Sequence, residues 1–220
     1  MASRLGDGVR EALPARYAAL ADLGAGLGLR QGEAFGLAAE DIDWLHRVVH
    51  IRRQIRIIGS RMTFAPPKGG KERDVPLADS VALRLSAHIA ACPPAPVTLP
   101  WKVPDGKPVT VALVFSTPQG AALHRSNFNV GSWQPALKSA GIPAGRANGQ
   151  HALRHYFASA CLANGVDIRA LSEYLGHHDA GFTLRTYTHL MPDAADRARQ
   201  AIDTAYARSD GPATAQGGAR

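Results

Sequence analysis

Apolar positions along this chain follow a helical period, switch to a strand period, and then return to the helical one. Leu13, Tyr17, Leu20 and Leu23 recur at helical spacing and predict a helix over 11–27, interrupted near Gly24-Ala25-Gly26 by a tight turn. The run Leu29 to Leu37 predicts a short helix with Arg30 at its start and Gly36 at its close. Val48-Val49-His50-Ile51 and Gln54-Ile55-Arg56-Ile57-Ile58 are then β-rich, and Gly69-Gly70-Lys71 marks a turn before Arg73-Asp74-Val75-Pro76-Leu77. These runs predict a small antiparallel sheet within 42–77. A helix over 79–91 opens on Asp79 as its cap and is stopped by Pro93-Pro94-Ala95-Pro96. Residues 92–110 read as an exposed excursion, in which Val97–Trp101 can pair with Val109–Phe115 around Asp105-Gly106 as a hairpin over 97–115.

From Asn127 onward the helical period dominates, predicting helices near 126–139, 151–163, 168–175, 182–190 and 194–207. Gly165 follows one helix, Asp167 can cap the next, and Gly176 ends that one immediately before His177. His177 therefore falls just past a helix, where a loop can aim it. The tail 208–220 has no periodicity and reads as disordered. The pattern is that of an α+β fold, mainly α-helical, with a small sheet and no internal repeat.

Composition narrows the function class. With 220 residues, 45% of them hydrophobic, the chain can bury one sizeable core, so one main domain is expected over 1–207. The net charge of +7 favours a polyanionic partner, nucleic acid being the commonest, against the plainer reading of a merely basic protein. Cys92 and Cys161 are too few for a disulfide framework and lack metal spacing, which fits a reducing cytoplasm. No apolar run approaches a membrane span, and the first residues lack the apolar core of a signal peptide.

Candidate chemistry concentrates late in the chain. His151 and Arg154, at i and i+3, project from one helical face and can touch one target together. A planar guanidinium suits a phosphate oxygen pair, and histidine exchanges a proton near neutral pH. Each group has a plainer reading: His151-x-x-Arg154 as a surface helix face, Arg30 as a first-turn arginine, Tyr187 as a core phenol. A zinc site from His177, His178, Asp179 and His189 has no thiol and no matching spacing behind it.

The combination is more specific than its parts. Arg30-Gln31-Gly32-Glu33, Lys68 before a Gly-Gly turn, His151-x-x-Arg154, Leu175-Gly176-His177 and Tyr187 in Thr186-Tyr187-Thr188-His189 occur in the order found in the phage-integrase-like tyrosine recombinases. The chain resembles the catalytic domain of that family from about residue 11 to residue 207. Gly28-Leu29-Arg30, Asp41-Ile42-Asp43, Val75-Pro76-Leu77 and Arg154-His155 add to the likeness. Within the family it is most similar to integrases of actinobacterial phages and integrative elements.

The resemblance implies a cofactor-free, metal-independent transesterification on double-stranded DNA. Tyr187 attacks a phosphate, forms a 3′-phosphotyrosyl link and frees a 5′-hydroxyl, which can later reverse the step. Arg30 and Arg154 would clamp the phosphate, and losing such a preorganised donor typically costs on the order of 10²–10³ in rate. Lys68, with Lys71 as competitor, would protonate the leaving 5′-oxygen. His151 would assist proton removal from Tyr187, His177 would hydrogen-bond the phosphate, and Glu33 would support the site without reacting. His155 and His178 are read as structural or supporting.

Ala152 stands where an acidic residue often follows the histidine, and Tyr156 follows Arg154-His155; neither removes a catalytic group. Family members usually carry a helical core-binding domain upstream, whereas here 29 residues precede Arg30. The chain is therefore read as a catalytic domain alone, which cleaves or relaxes DNA but does not complete integration unaided. The segment 194–207, with Ala201, Ile202 and Ala205 on one stripe, would dock on a neighbouring protomer in a homotetramer on paired sites, or pack in cis. Two alternatives stay open: an inactive DNA-binding integrase remnant, and a type IB topoisomerase-like enzyme that relaxes DNA.

Overall fold

In the computed structural model, residues 2–187 and 194–209 are described. The chain begins with α1 (Ala2–Ala12) and α2 (Ala15–Leu27), two helices where sequence periodicity predicted one over 11–27. The division is at Pro14, the N-cap of α2, whose missing N–H and fixed φ are tolerated at a helix start but not within one. Gly24 and Gly26 do not make a turn. They lie inside α2, where a Cβ would come within 2.8 Å of the Leu153 side chain and 2.4 Å of that of Val81. The chain turns instead at Gly28, whose φ of 64° is left-handed. The short helix α3 (Gln31–Phe35) follows, with Arg30 as its N-cap.

The predicted single sheet is two. The strands β1 (Ile42–Asp43), β2 (Val48–Ile51) and β5 (Arg73–Pro76) form one antiparallel sheet in the order β1-β2-β5. Between them β3 (Gln54–Ile58) and β4 (Arg61–Ala65) make a separate antiparallel hairpin, with Ile55 opposite Phe64. Only two residues separate β2 from β3, yet they belong to different sheets, because the chain turns away at Arg52-Arg53. Arg53 is held there by Asp41 and Glu40.

Helix α4 (Asp79–Ala91) matches its predicted span, but Ala78 is the N-cap and has no side-chain cap bond. Asp79 sits one residue inside and pairs with Arg47. The hairpin exists as β6 (Ala95–Pro100) and β7 (Pro108–Leu113), registered Val97 to Val111 and Leu99 to Val109. Its start lies within the proline run that was read as a stop; β6 occupies a two-stranded edge, where proline is tolerated.

The helix predicted over 126–139 is three segments: α5 (Arg125–Phe128), a π-turn over Asn129–Trp133, and α6 (Gln134–Ser139). Pro135 supplies the cause, since its ring crowds the carbonyl four residues back and it offers no N–H. Then come α7 (Gln150–Ala163), α8 (Ile168–Leu175), α9 (Ala180–Tyr187) and α10 (Ala194–Ser209). Asp167 caps α8 by accepting from Arg169 and Ala170, and Gly176 ends it at φ 61°. Helix α9 begins two residues before its predicted start, and its continuation to 190 lies outside the described residues. Helix α10 extends to Ser209, past the predicted start of the tail, of which 210–220 lie outside the described residues. The expected apolar stripe presents Ile202 to solvent at 57% exposure, with Tyr206 beside it at 70%.

One apolar core joins the helices to all three strand groups, with Leu23, Phe35, Phe64, Leu85, Leu113, Leu153 and Leu171 at its centre. α2 crosses this core and packs on α7, α1 and α4. Burial of that surface is the main stabilising term.

Candidate active site

Two glycine-terminated helices build the site. α2 ends at Gly28 and α8 at Gly176, both left-handed, so the residues that follow, Arg30 and His177, leave the helix ends in fixed directions. Gly28 is required twice over, because a Cβ there would also meet the Phe157 ring at 2.5 Å. The helix-end carbonyls converge on Arg154, which rises from α7. Its Nη1 donates to the Gly28 carbonyl at 2.6 Å, and its Nη2 donates to the Leu175 carbonyl and, at 3.1 Å, to His177 Nε2. Arg154 is 1% exposed. Carbonyls at helix C-termini carry partial negative charge, which suits a buried guanidinium.

Since arginine only donates, His177 Nε2 must accept; its proton therefore sits on Nδ1, which donates to Thr183 Oγ1 at 2.7 Å. Burial and the Arg154, Arg30 and Arg73 charges push the His177 pKa down to about 4, consistent with a neutral ring. Thr183 is fully buried on α9, one turn before Tyr187. The histidine is thus tied to the same helix as the phenol.

Glu33 organises the arginines. Its carboxylate accepts from Arg30 Nη1 at 3.0 Å and from the Arg30 backbone N–H at 2.9 Å. Arg73 grips it through two bonds of 3.0 and 2.7 Å, while Arg73 Nε donates to the Tyr174 carbonyl. Burial pushes the Glu33 pKa up, but the Arg73 hydrogen bond and charge, with those of Arg30, outweigh it and hold the group below its ordinary value. Sequence pattern marks Arg73 only as a strand residue. Its signal in the sequence was a charged residue on the inward face of a strand otherwise buried at Val75.

Three guanidiniums, Arg30, Arg73 and Arg154, therefore gather around the Glu33 carboxylate. The surplus is positive. Burial and the neighbouring Arg30 charge lower the Arg154 pKa to about 9, so a bound anion would relieve its environment. Arg30 is partly exposed and lines two open spaces, a cleft of about 1240 Å³ shared with His151 and a cavity of about 620 Å³ shared with Lys68. Lys68 is exposed on the loop joining β4 to β5, where Gly69 and Gly70 both have positive φ. A Cβ on Gly69 would meet the His178 ring at 2.2 Å, so the loop lies directly against the segment bearing His177. Lys71 is also exposed, but it does not line that cavity.

His151 is exposed on the first turn of α7. Desolvation by its surroundings, together with His155, Arg154 and Arg30, lowers its pKa. The ring against Tyr187 is not His151 but His155, at 5.4 Å between centroids, and His155 in turn contacts His151 at 4.7 Å. Tyr187 is 2% exposed and part of the core. Burial raises its pKa, while the Arg154 and Arg30 charges oppose that rise. Arg30, Glu33, His151, Arg154 and His177 adjoin this one region, with Lys68 on the cavity that Arg30 also lines and Tyr187 beside His155. Among the described residues, no group of three or more His, Cys, Asp or Glu side chains could hold a metal; His189 of the zinc reading lies outside them.

The site can bind an oxyanion between Arg30 and Arg154, flank it with a lysine and imidazoles, and keep the Tyr187 phenol within reach of both arginine charges. A tyrosine recombinase XerC-like protein of Caldanaerobacter subterraneus subsp. tengcongensis is 28% identical over 217 residues, covering 90% of this chain and 52% of the relative. The Tn1549 transposon integrase, solved in complex with a circular intermediate DNA, has the same fold at a TM-score of 0.66 and 23% identity, over 84% of this chain and 58% of that one. The catalytic domain of bacteriophage HP1 integrase matches at a TM-score of 0.57 and 21% identity, over 90% and 89%. The chain spans about half the length of the curated relatives it matches. The phage integrase family matches residues 2–193, and this chain belongs to that family.

Proposed function

We propose that residues 1–207 form the catalytic part of a site-specific DNA recombinase, which cuts and rejoins double-stranded DNA through Tyr187 without a metal or cofactor. The observation that carries this reading is the convergence of Arg30, Arg154 and His177 on one place, close enough to Tyr187 that the two arginine charges act on its phenol. In the reaction Tyr187 Oη bonds to phosphorus as the bond from phosphorus to the 5′-oxygen breaks. The phenolic proton leaves by the imidazole pair His155 and His151, and Lys68 gives a proton to the 5′-oxygen. Arg30 and Arg154 stabilise the charge on the non-bridging oxygens.

Two rearrangements follow from the geometry. Tyr187 must swing out of the core, and the raised pKa it has there keeps it protonated and unreactive until it does. When a phosphate takes over the Arg154 bond, His177 Nε2 is freed, and the added negative charge favours protonating it, so that it donates to the phosphate.

The substrate class is supported by the net charge of +7 and by relatives named as tyrosine recombinases. Those names favour recombination over topoisomerase-like relaxation or a remnant that only binds. Assembly as a homotetramer on paired sites is proposed from the exposed Ile202 and Tyr206 of α10. No described helix is long and apolar enough to cross a membrane; the cytoplasmic location proposed here rests on the DNA substrate. Relaxation of a supercoiled plasmid, run beside an intermolecular recombination assay, tests the reading. Wild type should cut in a Tyr187-dependent manner, whereas equal activity in Tyr187→Phe would overturn the assignment.

A further inference from the structure

The β6–β7 hairpin carries none of the candidate catalytic residues, yet it is fastened to the segments that bear Arg30 and Lys68. At its base Leu113 bridges Ala38, and the Val114 N–H donates to the Leu37 carbonyl at 2.9 Å, just past the helix that Arg30 caps. At its tip Trp101 bridges Phe64, and the Lys102 N–H donates to the Phe64 carbonyl at 2.7 Å, four residues before Lys68. The hairpin therefore clamps the helix of Arg30 to the strand that launches Lys68.

Lys102 itself is unusual. Its φ of 67° lies in the left-handed region, which only one other described non-glycine residue, Arg47, adopts. Such a backbone is strained for a side chain with a Cβ and persists only where the surroundings impose it. Here the Phe64 bond holds the Lys102 backbone, and Lys102 lines the same cavity of about 620 Å³ as Arg30, Arg56 and Lys68. Among the described residues no carboxylate lines that cavity. A concave wall carrying four cations focuses positive potential and collects phosphates.

We propose that Lys102 is a DNA-backbone contact. On this account the β6–β7 hairpin is an accessory arm that grips a phosphate of the duplex beside the one held by Arg30 and braces the Lys68 loop against it. This rests on the DNA reading above. The contact is electrostatic and independent of base sequence, so its signature is salt dependence.

The test is binding of the full chain to a fluorescein-labelled, random-sequence duplex across a salt series. Lys102→Gly is the informative variant, because glycine accepts the left-handed backbone and the thermal midpoint should hold. The slope of log affinity against log salt should become shallower by about one, with affinity down about eightfold at 0.1 M salt, the counterion-release value for one phosphate. Lys102→Arg should restore both. Lys107→Ala, which removes an exposed hairpin cation outside the cavity, should leave the slope unchanged. A Lys102→Gly slope equal to wild type, or an equal loss in Lys107→Ala, overturns the proposal while leaving the DNA reading intact. Wild-type binding that is absent or independent of salt overturns the DNA reading and this contact with it.

Discussion

Replacing Glu33 by glutamine isolates the charge that holds the arginines together. The Glu33 side chain is fully buried and that of Arg73 is 4% exposed, so the variant strands a buried guanidinium that has lost a bidentate partner. Breaking a buried pair from one side costs about 3–5 kcal/mol, mostly the penalty of the charge left behind. Glutamine keeps the shape and one acceptor, which favours the lower end, and the more exposed Arg30 adds under about 1 kcal/mol. We expect a loss of about 3–4 kcal/mol at pH 7, a large share of the roughly 5–15 kcal/mol typical of a domain. Urea unfolding followed by circular dichroism reads it as a midpoint shift of about 1.5–2 M if the slope is near 2 kcal/mol/M. The sign with pH is fixed too. The folded pKa of Glu33 is lowered, so its contribution is complete above the unfolded carboxyl value and lost as pH falls through the folded one. The gap between wild type and Glu33→Gln should therefore close in acid. Adding Arg73→Met to Glu33→Gln should recover part of the loss, because no charge is then stranded. A loss under about 1 kcal/mol at pH 7, or a gap that persists in acid, would refute the ion-pair account.

Three further outcomes follow from the same geometry. Gly28→Ala should lose about 1–3 kcal/mol in thermal unfolding, because a Cβ there is strained by a φ of 64° and strikes the Phe157 ring. Arg154→Lys should slow cleavage by about 10²–10³, since a single ammonium cannot span the Gly28 and Leu175 carbonyls and a phosphate; single-turnover kinetics on nicked DNA would show it. His177, with a folded pKa of about 4, stays neutral where the unfolded chain already takes up protons, so it costs stability as pH falls from about 6.5 towards 4. Wild type should lose stability relative to His177→Gln across that window, measured by urea melts at each pH, and an unchanging difference would contradict the assignment.

What the sequence made legible were features with a local cause. Gly176 could be read because a left-handed residue after a helix is nearly a glycine signature, and Asp167 because its cap is made within three residues, whereas the turn expected at Gly24-Ala25-Gly26 falls at Gly28. The missed elements fail for stated reasons. Pro14 stood in plain view inside a helical period that ran on regardless, and β4 carries only one clear alternation around Thr63 and Phe64. The pair that Arg73 makes by donating to Glu33 joins residues 40 apart, a tertiary contact that no spacing conveys. His155 was read as supporting, yet it is the imidazole on Tyr187; both neighbours, His151 and His155, share the α7 face, and only the path of α9 decides between them.

The central claim is that Tyr187 forms a covalent bond to DNA in this site. The direct measurement incubates the chain with a library of nicked duplexes of randomised sequence, then resolves protein–DNA adducts on a denaturing gel. The predicted result is an adduct with wild type that is lost in Tyr187→Phe, with the tyrosine linked to the 3′-phosphate. No adduct at any protein concentration, or one that survives Tyr187→Phe, would contradict it.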